Sequence, residues 1–109
     1  MSYLPNDTFI ANMSDNIKSK NELLDDMKQK LLFPDYFGYN WDALYDCLCD
    51  FYWIKEKNIV IKYSKLPLLL DNDMKCFVDI VQAVANNWQK TKSRNISFIF
   101  PECTNFQFT

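Results

Sequence analysis

The chain has 109 residues, 49% of them apolar and 24% charged, which is enough for one domain with a modest core and too little for two. That hydrophobic share excludes wholesale disorder, and no apolar stretch approaches the roughly 20 residues a spanning helix needs. Histidine is absent, which removes the commonest general base and the commonest metal ligand.

The opening Met1 to Pro5 leads straight into polar Asn6 and Asp7, so no secretion signal is read and the cytosol is the expected compartment. Residues 8–13 read as a first strand. Ser19-x-x-Glu22 is a capping-box pattern, and Leu23, Leu24, Met27, Leu31 and Leu32 follow at helical spacing until Pro34 stops the run. The turn Pro34-Asp35-Tyr36-Phe37-Gly38-Tyr39 holds the single glycine of the chain, where a backbone conformation closed to other residues is expected. Asn40 then caps a second helix running to about Tyr52, with Asp42 in its first turn, where the helix dipole favours an anion.

Residues 58–63 are rich in β-branched residues and read as a buried strand. Residues 67–70 suggest a short helix, and Asp71 to Asp73 supply caps for a longer one. Along it Met74, Phe77, Val78, Val81, Val84, Ala85 and Trp88 form a single apolar stripe that belongs to the core. Residues 96–100 make a last apolar strand, halted by Pro101. Strands separated by helices, each strand apolar on both faces, give an α/β class: a small, mostly parallel sheet covered by helices. Cys47, Cys49, Cys76 and Cys103 lack the spacing of a zinc or redox motif and read as free buried thiols. Neither a cofactor nor a metal is expected, and no glycine-rich phosphate loop is present.

The net charge of −2 is unevenly spread. Residues 1–30 and 55–109 mix both signs, whereas residues 31–54 carry Asp35, Asp42, Asp46 and Asp50 with no Lys or Arg. At about 100° per residue, Leu44, Cys47, Leu48 and Phe51 share one side of the second helix, with Trp41 and Ala43 at its margins. Asp42, Asp46 and Asp50 run at i, i+4 and i+8 along the other, with Cys49 beside them and Tyr45 and Tyr52 at the flank. A solvated polar face would mix signs, because like charges four apart destabilise a helix. Tyr36, Trp41 and Tyr45 edge the row, as suits a binding surface for a cationic partner. Catalysis or Mg²⁺ binding by these aspartates is disfavoured, since exposed carboxylates on one helix lack a desolvating pocket.

The run from Leu32 to Leu48, Leu-Phe-Pro-Asp-Tyr-Phe-Gly-Tyr-Asn-Trp-Asp-Ala-Leu-Tyr-Asp-Cys-Leu, resembles the signature of the barstar family of ribonuclease inhibitors, and the order of elements extends the likeness over residues 8–100. The resemblance implies a three-stranded parallel sheet packed with helices. It also implies a non-enzymatic protein whose turn and acidic helix plug a nuclease active site. By that likeness Tyr36, Gly38, Asn40, Asp42, Tyr45 and Asp46 occupy contact positions, with Asp46 as the central anion. The full expected interface is Tyr36, Phe37, Gly38, Asn40, Trp41, Asp42, Tyr45, Asp46, Cys49 and Asp50.

The sequence departs from the family pattern at several points. Trp41 replaces a smaller aliphatic residue, Tyr45 stands where tryptophan is common, and Asp50 stands where glycine is frequent. A further acidic contact expected from the last long helix falls near Gln82 and Ala83, with Asp79 one turn away. These changes point to an immunity protein against a nuclease toxin of bacterial competition, in a toxin–antitoxin pairing, bound one to one by a chain that is monomeric when free. A non-inhibitory module using the same face on another basic partner is the alternative. No membrane or nucleic-acid partner is expected, with only weak RNA binding through Lys90, Lys92 and Arg94 left open.

Overall fold

The computed structural model describes residues 7–101. The readings of the extreme N-terminus, of Cys103 and of the tail after Pro101 lie outside the described residues. Three parallel strands, β1 (Thr8–Asn12), β2 (Asn58–Lys62) and β3 (Asn95–Ile99), form one sheet in the order β1-β2-β3. The register aligns Phe9, Ile59 and Ile96 in one row and Ala11, Ile61 and Phe98 in another. Because side chains alternate along a strand, both rows face the same side, and that side joins the core.

The opposite side carries Ile10, Val60 and Ser97, then Asn12, Lys62 and Ile99. Ile10 is 44% exposed and Ile99 45%. The strands are therefore not apolar on both faces as expected. Helices cover one face, and polar residues at alternate positions of β1 and β3 suit the other to water.

Helix α1 (Lys20–Lys30) begins at Ser19, whose Oγ accepts the Glu22 N–H at 3.1 Å, while the Glu22 carboxylate accepts from the Lys18 N–H at 2.7 Å. It ends before Leu32, which takes a left-handed φ of 59° and turns to solvent instead of continuing the apolar stripe. The Phe33 N–H reaches back to the Lys28 carbonyl at 3.0 Å, a Schellman closure that swings buried Phe33 under the helix.

Helix α2 (Trp41–Leu48) is shorter than the run to Tyr52 read from the sequence. Phe51 adopts φ 50° and is fully buried, so the chain leaves the helix in order to bring that ring into the core. The freed carbonyls are taken up by distant donors. Trp88 Nε1 donates to the Leu48 carbonyl at 2.7 Å, and the Arg94 guanidinium donates to the carbonyls of Phe51, at 2.6 Å, and Ile54. Arg94 is thus committed to the fold and is not a free phosphate ligand.

Helix α3 (Asp71–Thr91) buries Phe77, Val81, Val84 and Trp88, whereas Ala85 of the expected stripe is exposed. Leu70 precedes it without a side-chain cap. Asp71 and Asp73 sit inside the first turn, where they complement the dipole rather than cap. Residues 67–70 form no helix, and the Leu68 N–H is held instead by the Ile17 carbonyl at 2.8 Å.

Candidate partner-binding site

The turn before α2 is held by local polar contacts. The Phe37 N–H donates to the Pro34 carbonyl at 3.0 Å. Asn40 Oδ1 accepts the Ala43 N–H at 2.7 Å as the helix cap, and Asn40 Nδ2 donates back to the Gly38 carbonyl at 3.2 Å. Gly38 does not have positive φ; its neighbour Tyr39 does, at 53°. The expected reason for the glycine is therefore replaced by another. A Cβ at Gly38 would lie 3.2 Å from Asn40 Nδ2 and 3.6 Å from the Ala43 Cβ, so the bare backbone makes room for the cap.

From this cap α2 projects Asp42, Tyr45 and Asp46 outward while Leu44, Cys47 and Leu48 are buried. Between α2 and α3 lies a cleft of about 540 Å³ lined by Trp41, Asp42, Tyr45, Asp46, Cys76, Asp79 and Ile80. Three carboxylates thus edge one opening whose remaining walls are largely aromatic and aliphatic. Among the described residues the one salt bridge is Lys30–Asp26, and none of them gives Asp42, Asp46, Asp50 or Asp79 a cationic partner.

Tyr36, Tyr45, Cys47 and Cys49 are all raised above their ordinary pKa values, which keeps them uncharged near neutrality. The hydroxyl of Tyr36 pairs with Tyr52, and this bond, with the Asp50 carboxylate nearby, pushes its pKa up to about 12. Tyr45 is raised by a hydrogen bond to Cys49 one turn on and by Asp46. Burial pushes the Cys47 thiol up to about 11, helped by Asp50 and Asp46, and burial also raises Cys49. The ionisable side chains that give this face its formal negative charge are its aspartates. Among the described residues no three Asp, Glu, Cys or His side chains converge as a metal site.

The family model described as Barstar (barnase inhibitor) matches residues 8–100. The chain belongs to the barstar family. Barstar-family proteins are inhibitors and not enzymes. The chain is also 69% identical over 26 residues to the Bacillus subtilis (strain 168) protein "Putative ribonuclease inhibitor YrdF". That match spans 24% of this chain and 29% of that protein.

Within this barstar fold the ten residues expected at the interface do not all present side chains. Tyr36, Asp42, Tyr45, Asp46 and Asp50 are exposed, Trp41 is half-buried, and Gly38 offers exposed backbone. Phe37 is buried, its ring 4.9 Å from Phe33 and 5.0 Å from Tyr39, so it supports the turn instead of facing outward. Asn40 spends its amide on the cap, and Cys49 is half-buried with its sulfur against the Tyr45 hydroxyl. Of the three thiols described only Cys47 is fully buried.

Asp50 lies beyond the end of α2, so the expected row of three helical aspartates becomes two plus a turn residue. The third carboxylate of the cleft is Asp79, from α3. Its partners in space are 33 and 37 residues away in sequence (79 − 46 and 79 − 42), a proximity that helical spacing within one segment does not reveal. Among the described residues, no helix is long and apolar enough to cross a membrane.

Proposed function

We propose that this barstar-family chain inhibits a ribonuclease by seating α2 and the preceding turn in the nuclease active site, one inhibitor to one enzyme. The observation that carries the reading is the α2–α3 cleft. Asp42, Asp46 and Asp79 surround it with no counter-ion among the described residues, and Trp41, Tyr45 and Ile80 supply contact area.

A ribonuclease must bind RNA phosphate, so its site is cationic. A row of carboxylates fixed on a folded chain can take the places of phosphates and offers no bond to cleave. Asp42 and Asp46 are four residues apart, about 6 Å along the helix axis, close enough to engage neighbouring cations of one pocket. The uncompensated charge also speeds encounter, while Tyr36 and Tyr45 at the margin supply amphipathic area that slows dissociation. The departures at Trp41, Tyr45, Asp50, Gln82 and Ala83 fit a cognate toxin of bacterial competition, against which this chain is the immunity protein.

The test is capture of a partner by the tagged protein from the cells that make it, followed by a ribonuclease assay with wild type or Asp46→Ala added back. Wild type silences the captured nuclease, and Asp46→Ala weakens binding by about 30-fold or more, as for an interface hot spot, while its thermal stability is unchanged. Asp79→Asn weakens it less. Capture of a basic protein without nuclease activity overturns the inhibitor reading.

A further inference from the structure

Lys20, the first residue of α1, reaches toward α2, where its Nζ lies 5.4 Å from the centroid of the Trp41 ring. An ammonium at that distance over an indole face is attracted by the ring quadrupole, and tryptophan is the strongest such partner among the side chains. The three tryptophans differ in how they are held. Trp53 donates its indole N–H to the Leu31 carbonyl at 2.9 Å and Trp88 to the Leu48 carbonyl at 2.7 Å. Among the described residues no hydrogen bond fixes the Trp41 indole, and the contact with Lys20 is the polar interaction it makes. Yet Trp41 walls the cleft between Asp42, Asp46 and Asp79.

We infer that Lys20 is a positioning residue for the binding face: its ammonium holds the Trp41 ring as the wall of the acidic cleft. The functional half of this inference rests on the inhibitor reading above, and the structural half rests on the fold alone. Two effects of opposite sign follow. Lys20 places a positive charge beside a surface that attracts cations, which slows association. It also fixes an aromatic contact before the partner arrives, which slows dissociation. A lysine that merely solvates the surface would do only the first, and one that merely stabilises the fold would do neither selectively.

The experiment is ¹⁵N relaxation of the three indole N–H groups in wild type, Lys20→Met and Lys20→Arg, with the Trp41 resonance assigned by its loss in Trp41→Phe. Lys20→Met keeps an unbranched apolar stem without the charge. Its Trp41 heteronuclear NOE falls, while Trp53 and Trp88, each tied by its own hydrogen bond, stay at wild-type values and report an intact fold. Lys20→Arg restores the Trp41 value, since guanidinium also packs on aromatic faces. An unchanged Trp41 signal in Lys20→Met overturns the inference. A loss of order shared by all three indoles overturns it as well, because Lys20 would then be serving the fold.

With the captured ribonuclease, Lys20→Met associates about twofold faster at low salt and dissociates about threefold faster, and Lys20→Arg returns both rates toward wild type. A dissociation rate unmoved by Lys20→Met counts against the inference. If wild type captures no ribonuclease, the inhibitor reading fails, and the indole relaxation still decides the role of Lys20.

Discussion

The indole nitrogen of Trp88 donates to the carbonyl of Leu48 at 2.7 Å, so the last turns of α3 close the C-terminal end of α2. Replacing Trp88 with phenylalanine keeps most of the ring and leaves that carbonyl buried without a donor. The expected loss is about 1–3 kcal/mol, read as a lower urea midpoint with little change in slope.

Asp26 supplies a pH dependence. Burial raises its pKa, but hydrogen bonds from Lys30 Nζ at 2.8 Å and from the Ser14 N–H and hydroxyl at 2.9 and 2.8 Å outweigh that and hold it below the ordinary 3.8. A carboxyl lowered in the folded state stabilises above its unfolded pKa and loses that contribution as pH falls through the folded value. Wild type is therefore more stable than Asp26→Asn by about 1–3 kcal/mol at pH 7. The gap narrows as pH drops below 3.8, which urea titrations at pH 7 and pH 2.5 compare.

Tyr63 buries its hydroxyl with no hydrogen-bond partner among the described residues, while its ring stacks on Phe100 at 5.5 Å and meets Phe77 edge-on at 5.9 Å. Removing an unpaired buried hydroxyl without changing the ring relieves a desolvation penalty. Tyr63→Phe is expected to be neutral or to stabilise by up to about 1 kcal/mol in chemical denaturation.

Gly38→Ala tests the turn. With no positive φ to strain, the added methyl acts by pressing on the Asn40 amide, so the damage falls on the helix cap. A loss of about 0.5–1 kcal/mol in thermal stability is expected. Asn40→Ala should then add little further in the double variant, a non-additivity that a double-mutant cycle measures.

Association should fade with salt. The four aspartates at positions 42, 46, 50 and 79 have no cationic partner among the described residues, so their attraction reaches into solvent and is screened over about 8 Å at physiological ionic strength. Stopped-flow association with the captured ribonuclease falls about tenfold or more between 0.02 and 0.5 M salt, while the dissociation rate changes far less.

Much of this was legible in the chain itself, and the failures have physical causes. The Ser19 and Asn40 caps, the three strands and the outward set Asp42, Tyr45 and Asp46 follow from local chemistry, since caps and periodicity are short-range signals. The ends of α1 and α2 do not, because Leu32 and Phe51 adopt left-handed conformations that bring Phe33 and Phe51 into the core, a tertiary demand that overrides the helical periodicity. The open sheet face was hinted at by the alternation of Asn95, Ser97 and Ile99 but masked by the apolar run of β2. Asp79 joins the site through the packing of α3 on α2, which sequence proximity does not encode.

Helix α2 is only eight residues long, a length that in isolation is mostly unfolded in water. Here the Asn40 side chain fixes its first turn, and Trp88 and Arg94 capture the carbonyls at and just beyond its last. The conformational entropy of ordering Asp42 and Asp46 is therefore lost when the chain folds, and the proposed binding face does not lose it again against a partner. On the inhibitor reading proposed above, little of the contact energy made by this face is spent on ordering it.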